Sequence, residues 1–298
     1  MQLKSKCKIK GPHTAKVLNN IKLSGDTGKI IFRNKIIAEN SAPGQFVSIL
    51  CEDLLLRRPF SVANSKDDTF EIIYKIKGKG TQFLAGLKNG DSANIIGPLG
   101  KGFSPENKNS LLIGCGVGIA PIIFLSDILA KSGINHTSLV CTQTYLCHSE
   151  GFSPKNLSNH EGKQPNRFPP SFLIFNQKIG VPASLRMTNS NSSNDNKIII
   201  TEDGSAGLKG RLDNHLENII KEVKPEKIYT CGPTAAMAYI CKTAEKYNIT
   251  TEVALERDFA CGTGVCMGCV IQIKENDKLI NKRICKDGPV FLGSEVVW

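Results

Sequence analysis

The sequence has no long, uninterrupted apolar run. Its most apolar stretch, residues 111–130, is broken by three glycines, by Pro121 and by Asp127. A buried strand, a glycine turn and a helix explain this stretch better than a membrane span, which needs about 20 consecutive apolar residues. The lysine-rich N-terminus is not followed by an apolar segment, so we expect no signal peptide. These absences predict a chain that has no membrane span and works in the cytoplasm.

Aromatic residues are also scarce, at 6% of the chain with a single tryptophan. The net charge is +11, but the lysines are scattered and mostly lack aromatic neighbours. No basic helix, zinc finger or RNA-binding aromatic motif accompanies them. We therefore expect no nucleic-acid partner. The positive charge fits a solvated lysine-rich surface, or a weaker attraction to an acidic partner or to nucleotide phosphates.

Cysteine, in contrast, is abundant, with 11 residues in the chain. Four of them near the C-terminus follow the pattern Cys-x4-Cys-x2-Cys-x15-Cys. Plant-type ferredoxins hold a 2Fe–2S cluster with this spacing at the start of the motif. The sequence thus predicts a 2Fe–2S cluster, and its expected ligands are Cys261, Cys266, Cys269 and Cys285.

Glycines contribute to the same loop. Gly262, Gly264 and Gly268 can adopt positive φ and have no Cβ that would keep backbone N–H groups away from sulfur. A zinc site and disulfides are the alternatives. Zinc sites usually combine Cys-x2-Cys with a second such pair or with histidines, and disulfides need an oxidising compartment. The remaining cysteines are irregularly spaced and odd in number, which favours reduced thiols.

The first hundred residues predict an antiparallel β-barrel. Short β-rich runs alternate there with Gly and Pro turns, a pattern typical of such barrels. The predicted strands are 29–38, 45–51, 60–63, 70–77 and 92–96.

Strands and helices alternate after residue 103, and this predicts a parallel, doubly wound sheet. The predicted strands are 110–113, 137–141, 197–201 and 227–231, and the predicted helices are 119–131, 212–222 and 234–247. Residues 145–196 are rich in Ser, Asn, Pro and His and predict an insertion, a surface loop. The fold class is therefore multidomain α+β. Its predicted parts are a barrel at 1–104, a nucleotide-binding α/β domain at 105–249 and a small cluster domain at 250–298.

Two motifs in the barrel suit a dinucleotide such as FAD. Arg58 offers a planar fork of donors for a diphosphate, Pro59 sets the approach of the chain and Ser61 offers a hydroxyl to a flavin nitrogen. Residues 78–81 form a Gly-rich turn before a predicted helix, whose first N–H groups can bind phosphate. The alternative for residues 58–61 is an Arg-Pro turn at a barrel edge.

Two further motifs lie at predicted strand ends of the α/β domain. Residues 114–121, Gly-Cys-Gly-Val-Gly-Ile-Ala-Pro, follow a strand and open a helix, where glycine permits close approach of a dinucleotide. Residues 231–233, Cys-Gly-Pro, follow the last predicted strand of this domain. Ligands of doubly wound sheets bind at these carboxyl ends.

Taken in order, these motifs resemble the ferredoxin–NADP reductase superfamily, and most closely the electron-transfer subunits of NAD-linked, class-1B dihydroorotate dehydrogenases. The resemblance covers most of the chain except the insertion. It is carried by residues 58–61, 97–103, 114–121, 201–205, 231–233, 261–269 and 283–291.

The resemblance implies a role for each motif. FAD would bind at Arg58, Pro59, Phe60 and Ser61, together with Ile73, Tyr74, Lys75, Gly80 and Thr81. NAD, as an exchangeable substrate, would bind at Gly114, Gly116, Gly118, Pro121, Cys231, Gly232 and Pro233. The partner would be an FMN-containing TIM-barrel subunit in a heterotetramer, which oxidises dihydroorotate in pyrimidine biosynthesis. This chain would relay electrons through its cluster and FAD to NAD, and no catalytic acid or base is expected on it.

Two departures from the family pattern and three other functions stand beside this interpretation. Lys75 occupies a position where the family often has Arg, and the stretch after 141 lacks the family's usual Arg-containing nucleotide contact. A small subunit of an NAD(P)H-dependent ferredoxin or sulfide oxidoreductase has similar motifs but often carries Asp where this chain has Cys261. A non-catalytic scaffold that keeps the fold is the second alternative, and a monooxygenase reductase component is a weaker third.

Overall fold

The computed structural model describes residues 11–52, 54–143 and 195–298. The first of its two main sheets is a closed six-stranded barrel in the order β1-β2-β5-β4-β3-β6. All neighbouring strands in it are antiparallel, as predicted. Its strands are β1 (His13–Ser24), β2 (Thr27–Arg33), β3 (Phe46–Ile49), β4 (Arg58–Lys66), β5 (Thr69–Lys75) and β6 (Ser92–Leu99).

Alternate residues of these strands fill the barrel interior. Phe32 of β2 stacks on Phe70 of β5 with ring centroids 5.3 Å apart. Ile30, Val47 and Ile72 are fully buried in the same cluster. This period of two is what orients the intervening residues of β3, β4 and β5 outward, toward the rest of the molecule.

Two features of the barrel differ from the sequence prediction. The predicted strand 29–38 stops at Arg33, and helix α1 (Lys35–Asn40) follows. Asn34 caps this helix, because its side-chain oxygen accepts a hydrogen bond from the N–H of Ile37 at 3.0 Å. The first strand, β1, was not predicted, since its lysines and asparagines hide an alternation in which Ala15 and Val17 are completely buried.

The second main sheet has seven strands in the order β10-β9-β8-β7-β11-β12-β15. All its neighbours are parallel except β12 and β15. The doubly wound sheet is confirmed. Its elements are β7 (Ser110–Cys115), α3 (Ile119–Lys131), β8 (His136–Thr142), β9 (Asp195–Thr201), β10 (Leu208–Lys209), α4 (Leu212–Val223), β11 (Lys227–Cys231), α5 (Thr234–Lys246), β12 (Thr250–Ala254) and β15 (Val290–Leu292).

Two strands from the last fifty residues, β12 and β15, complete this sheet. A sheet thus crosses the predicted division at residue 250, and the domain boundaries stay predictions. The predicted insertion falls outside the described residues except for its last two positions, with which β9 begins. Cys7 and Cys147 lie outside them as well.

A buried polar cluster fixes the segment that joins the barrel to the sheet. Lys227 Nζ lies 2.7 Å from Glu252 Oε1, and the two side chains are 3% and 8% exposed. The other carboxylate oxygen of Glu252 accepts the N–H of Ser104 at 2.9 Å, and Tyr229 donates its hydroxyl to the Ser104 carbonyl at 2.9 Å. Since removal of one partner leaves a buried charge, this cluster holds the linker firmly against the sheet.

The barrel and the α/β sheet share an apolar junction. Ile73 and Ala63 of the barrel form one buried cluster with Ile119 and Ala120 at the start of α3. The C-terminal segment forms a hairpin of β13 (Val270–Glu275) and β14 (Lys278–Arg283), which packs beneath the cysteine loop. In the described part of the chain, no helix is long and apolar enough to cross a membrane.

Candidate functional site

The start of strand β4 presents an open face. Arg58, Pro59, Phe60 and Ser61 are all half-buried, whereas the two residues after them are buried. Their partners in the ladder are the residues of β3, and Ser48 of β3 faces Pro59. Four consecutive half-buried residues in a barrel strand mark a surface that the other described residues leave partly uncovered.

Two neighbouring arginines have different environments there. Arg57 donates to Asn94 twice, to its carbonyl at 3.0 Å and to its side-chain oxygen at 2.5 Å. Arg58 donates to the carbonyls of Leu56 and Arg57 at 2.9 and 3.4 Å and forms no ion pair with any residue in the described ranges. Arg58 is thus the cation that remains available for an anionic ligand.

Helix α2 (Lys79–Gly86) begins beside Arg58. A Cβ on Gly80 would lie 3.0 Å from Arg58 Cγ, so only glycine permits this approach without displacement. The Thr81 hydroxyl accepts the N–H groups of Lys77 and Gly78 at 2.9 and 3.2 Å, which shapes the turn before the helix. A guanidinium and a helix N-terminus on one surface form an anion-binding arrangement.

The three predicted residues of β5 point in different directions. Ile73 lies at the junction with α3. Tyr74 is buried and donates its hydroxyl to Asn20 at 3.0 Å, while the Asn20 amide donates to the carbonyl of Leu84 in α2 at 2.8 Å. Lys75 pairs with Asp26 at 3.1 Å. Tyr74 therefore anchors α2 to the barrel interior, and burial raises the pKa of its hydroxyl.

The glycine turn after β7 brings two strand ends together. A Cβ on Gly118 would lie 2.5 Å from the carbonyl oxygen of Cys231, and one on Gly114 would lie 2.8 Å from Ile119 Cα. Gly116 has φ of +59° and open space where its Cβ would be. Pro121 fits the first turn of α3, where its missing N–H costs nothing.

Residues 231–233 lie against this turn. Cys231 pairs with Gly114 in the ladder of β11 and β7, and a Cβ on Gly232 would lie 2.7 Å from Cys115 Cβ. The predicted residues of the α/β domain thus meet at the carboxyl edge of the sheet, where a nucleotide can approach backbone groups. Complete burial raises the pKa of the Cys231 thiol, so that thiol is neutral.

The cysteine loop directs its backbone N–H groups at sulfur. Thr263, Val265 and Cys266 donate to Cys261 Sγ at 3.4, 3.3 and 3.4 Å. Burial raises the pKa of the Cys261 thiol, but these donors outweigh it and bring that pKa to about 5. Cys261 is therefore prepared as a thiolate, the form that binds iron.

The four cysteines form an outer and an inner pair. Cys266 donates its N–H to Cys261 Sγ at the surface, and Cys285 donates its N–H to Cys269 Sγ at 3.4 Å in the interior. Cys269 and Cys285 are each 3% exposed.

This arrangement fits a two-iron cluster. A zinc ion needs four ligands around a single point, whereas each iron of a 2Fe–2S cluster takes two cysteines. All the cysteines in the described ranges, moreover, are free thiols.

The glycines of the loop only partly behave as predicted. Gly262 and Gly264 have φ of +67° and +86°. Gly268 does not have positive φ, and Met267 adopts φ of +59° in its place. A Cβ on Gly268 would lie 3.4 Å from Cys266 Sγ, so this glycine provides room beside the sulfur.

A clamp around the loop was missed in the sequence. Arg283 donates to the carbonyl of Gly264 at 2.7 Å and pairs with Asp287 through Nε at 2.9 Å. The Arg283 hydrogen bond lowers the pKa of the Asp287 carboxyl. The spacing of the two residues around Cys285, four apart and of opposite charge, was the available signal.

The loop lies against the barrel. A Cβ on Gly262 would come within 3.5 Å of Ser48 Oγ in β3. Phe259 packs on Phe46 of the same strand with ring centroids 5.1 Å apart. Strand β3 thus contacts the cysteine loop and is also the direct neighbour of β4, which carries Arg58 and Pro59.

Glu256 was also missed, because a lone exposed Glu after a strand gives no sequence signal. Its side chain is exposed to solvent, but the protein around it still desolvates the carboxyl and raises its pKa, while the charge of Lys77 lowers it. The carboxylate is close enough to Cys231 to raise the pKa of that thiol further. Glu256 therefore lies near both Lys77, after the barrel strand β5, and Cys231, at the sheet edge.

Comparisons with known proteins agree with this geometry. A family model described as the iron-sulfur cluster binding domain of dihydroorotate dehydrogenase B matches residues 256–297. The dihydroorotate dehydrogenase B (NAD(+)) electron transfer subunit of Caldanaerobacter subterraneus subsp. tengcongensis is 30% identical over 286 residues, which cover 95% of this chain and 98% of that protein. The subunit of the same name from Desulforamulus reducens is 32% identical over 293 residues, with 95% and 97% covered.

Solved structures show the same architecture. The structure of an NADH-dependent reduced ferredoxin-NADP oxidoreductase, studied for flavin-based electron bifurcation, superposes with a TM-score of 0.73. It is 25% identical, and 95% of this chain and 90% of that one are covered. The ferredoxin reductase of a carbazole 1,9a-dioxygenase, 19% identical with a TM-score of 0.59, shares the fold over 80% of this chain and 66% of that chain.

Proposed function

The chain belongs to the family of dihydroorotate dehydrogenase B electron transfer subunits, and on this premise we propose that it relays electrons between a catalytic subunit and NAD. Its relatives in that family align over nearly their whole length. The partner is an FMN-containing catalytic subunit that oxidises dihydroorotate, and the assembly is a heterotetramer. This chain contributes binding and orientation, with no acid or base of its own.

FAD is held on the open face of β4. Arg58 and the first turn of α2 bind its diphosphate, while Ser61 and Pro59 lie along the strand toward the ring. Phe60 supports this surface from the barrel core, and Ile73 closes it at the domain junction. When bound, a flavin exchanges electron pairs with nicotinamide and single electrons with iron–sulfur clusters.

NAD binds at the carboxyl edge of the sheet. Gly114, Gly116 and Gly118 leave backbone close to the ligand, and Gly232 lets the end of β11 meet the end of β7. The neutral Cys231 thiol lies near the carboxylate of Glu256, and Glu256 in turn lies near Lys77, which follows the barrel strand β5.

The 2Fe–2S cluster is held by the four cysteines, with one pair on each side of it. The inner pair, Cys269 and Cys285, packs with Phe46 against the barrel. The outer pair lies at the surface between Val265 and Met267, which are 82% and 50% exposed. Apolar side chains around an exposed ligand suit a surface that a partner covers.

The single observation that carries the proposal is the contact between the cysteine loop and strand β3. A Cβ placed on Gly262 of the loop would lie 3.5 Å from Ser48 Oγ in β3. Ser48 in turn is the ladder partner of Pro59 in β4. One strand therefore joins the cluster surface to the FAD surface, an arrangement that serves electron relay.

The chain should be purified without oxygen from cells with intact cluster-assembly machinery. We expect bound FAD together with iron and acid-labile sulfide in equal amounts. Mixed with a catalytic subunit of this family, it should support NAD reduction that depends on dihydroorotate. Colourless protein without iron, or a chain that binds flavin and iron but never couples to that subunit, would refute the proposal.

A second function is favoured by one observation, the superposition on the NADH-dependent ferredoxin-NADP oxidoreductase. On that alternative the chain would pair with a ferredoxin-reducing subunit. Recovery of such a subunit with the tagged chain, in place of one with bound FMN and dihydroorotate-oxidising activity, would decide for it. A cytoplasmic location is also part of the proposal, supported by the free thiols in the described ranges.

A further inference from the structure

Two thiols at the carboxyl edge of the sheet have no role in the relay. Cys115 ends β7, and Cys141 is its direct ladder partner in the neighbouring strand β8. We propose that Cys115 and Cys141 are a modification site, at which a low-molecular-weight disulfide oxidises the pair to an intramolecular disulfide that weakens nucleotide binding. The second half rests on the proposed function, because it places NAD at this edge.

The backbone geometry suits the bond. Ladder partners on neighbouring strands have Cα atoms about 4.8 Å apart and point their side chains to the same face, and disulfides join Cα atoms about 4.4–6.8 Å apart. Cys115 and Cys141 lie in the same buried cluster, and the two thiols are close enough to shift each other's pKa in opposite directions. The two sulfurs are therefore neighbours before any oxidation.

Accessibility and reactivity distinguish this pair from the other thiols nearby. Cys115 is 8% exposed and Cys141 is half-buried, whereas Cys231 and Cys241 are each 1% exposed. Gly116, next to Cys115, borders open space. The neighbouring Cys141 thiol lowers the pKa of Cys115, and the thiolate is the attacking form in disulfide exchange.

The Cys115 thiolate attacks one sulfur of the disulfide RSSR, forms Cys115–S–SR and releases RS⁻. The Cys141 thiol then gives up its proton, attacks Cys115 Sγ and releases the second RS⁻. The two cysteine protons end on the released thiolates, so two thiols are oxidised, one RSSR is reduced and two RSH are formed.

The bond would move a residue that touches the nucleotide site. The parallel strands β7 and β8 are about 4.7–4.9 Å apart, which is also about the separation of the two Cβ atoms, and the Cβ atoms of a disulfide are about 3.5–4.5 Å apart, so the two must approach by up to about 1 Å. In the sheet, β8 and β11 lie on opposite sides of β7. Oxidation therefore draws the Cys115 side chain toward Cys141 and away from Gly232, whose would-be Cβ lies 2.7 Å from it.

Peptide mapping tests the bond itself. The reduced holoprotein is treated anaerobically with oxidised glutathione, its free thiols are blocked, and it is digested with trypsin. We expect residues 109–131 and 132–155 as one cross-linked species that dithiothreitol separates. The second peptide also contains Cys147, so the link must persist in Cys147→Ser and in the buried control Cys241→Ser, and vanish in Cys141→Ser and Cys115→Ser.

Absence of the cross-link in the wild type, or a cross-link that Cys147→Ser removes, would overturn the proposal whatever the protein does with nucleotides.

NADH titration tests the consequence. The oxidised wild type should bind NADH with a Kd about tenfold higher than the reduced protein, as expected for a displacement of about 1 Å in a binding site, and dithiothreitol should restore it. Glutathione treatment should not change the Kd of Cys141→Ser. An equal Kd for oxidised and reduced wild type would refute the regulatory half, while reduced protein that binds no NADH would refute the proposed function and leave the mapping result standing.

Discussion

Replacement of Arg58 by alanine tests where the FAD diphosphate lies. The Arg58 guanidinium donates only to two backbone carbonyls and has no carboxylate neighbour among the described residues, so its charge is available to the ligand. A hydrogen bond to a charged group contributes about 1.5–3 kcal/mol, and each 1.4 kcal/mol is about tenfold in affinity. We therefore expect Arg58→Ala to raise the Kd for FAD about 10- to 150-fold, as measured by flavin fluorescence after removal of FAD.

The adjacent arginine provides the matched control. Arg57 is bound to Asn94 by two hydrogen bonds, so Arg57→Ala should lower the free energy of unfolding by about 1–3 kcal/mol and change the Kd for FAD little. Arg58→Lys should give an intermediate Kd, because lysine keeps the charge and loses the planar fork. An Arg58→Ala protein that retains FAD like the wild type, or an equal loss in Arg57→Ala, would contradict the assignment.

Three further changes address the other surfaces. Cys266→Ser should abolish the cluster's visible absorbance while FAD content stays constant, and unchanged iron and sulfide would show that the ligand set is wrong. Gly118→Ala places a Cβ 2.5 Å from the Cys231 carbonyl oxygen and should lower the free energy of unfolding by about 1–3 kcal/mol and weaken NADH binding, whereas Gly86→Ala, with open space at its Cβ, should do neither. Asp287→Asn should speed iron loss at pH 7. The folded pKa of Asp287 is lowered, so its ion pair contributes fully above the usual carboxyl pKa and is lost only as pH falls through the lowered value. The Cys261 thiol, with a pKa of about 5, begins to protonate below about pH 6, so we compare iron retention between about pH 6 and 8, where the wild type should be flat. A decline centred in that window would count against this ion pair.

The sequence predicted those parts of the molecule in which local chemistry decides the structure. The Gly114 turn and α3 followed from glycine spacing, and α3 has the bounds that were predicted. Cys-x4-Cys-x2-Cys pointed to a cluster because ligand spacing in a single loop is a local property.

Features that depend on distant residues could not be predicted in the same way. Helix α1 is a local exception, because its cap, Asn34, directly precedes it and the sequence did not decide the competition between that cap and the β-rich residues around it. The choice between Arg57 and Arg58 needs the position of Asn94, far along the chain. Met267 takes the positive φ that Gly268 was expected to take, since the clamp and the cysteines around the loop determine its path.

The order of strands has a consequence for how the protein is made. All six barrel strands lie between His13 and Leu99, so the barrel can fold once this part of the chain has left the ribosome. The second sheet has to wait, because its edge strand Val290–Leu292 is synthesised after all its other strands. Until then the N–H and C=O groups on the edge of β12 that β15 later covers have no strand partner, and we expect the nascent chain to rely on chaperones during that interval.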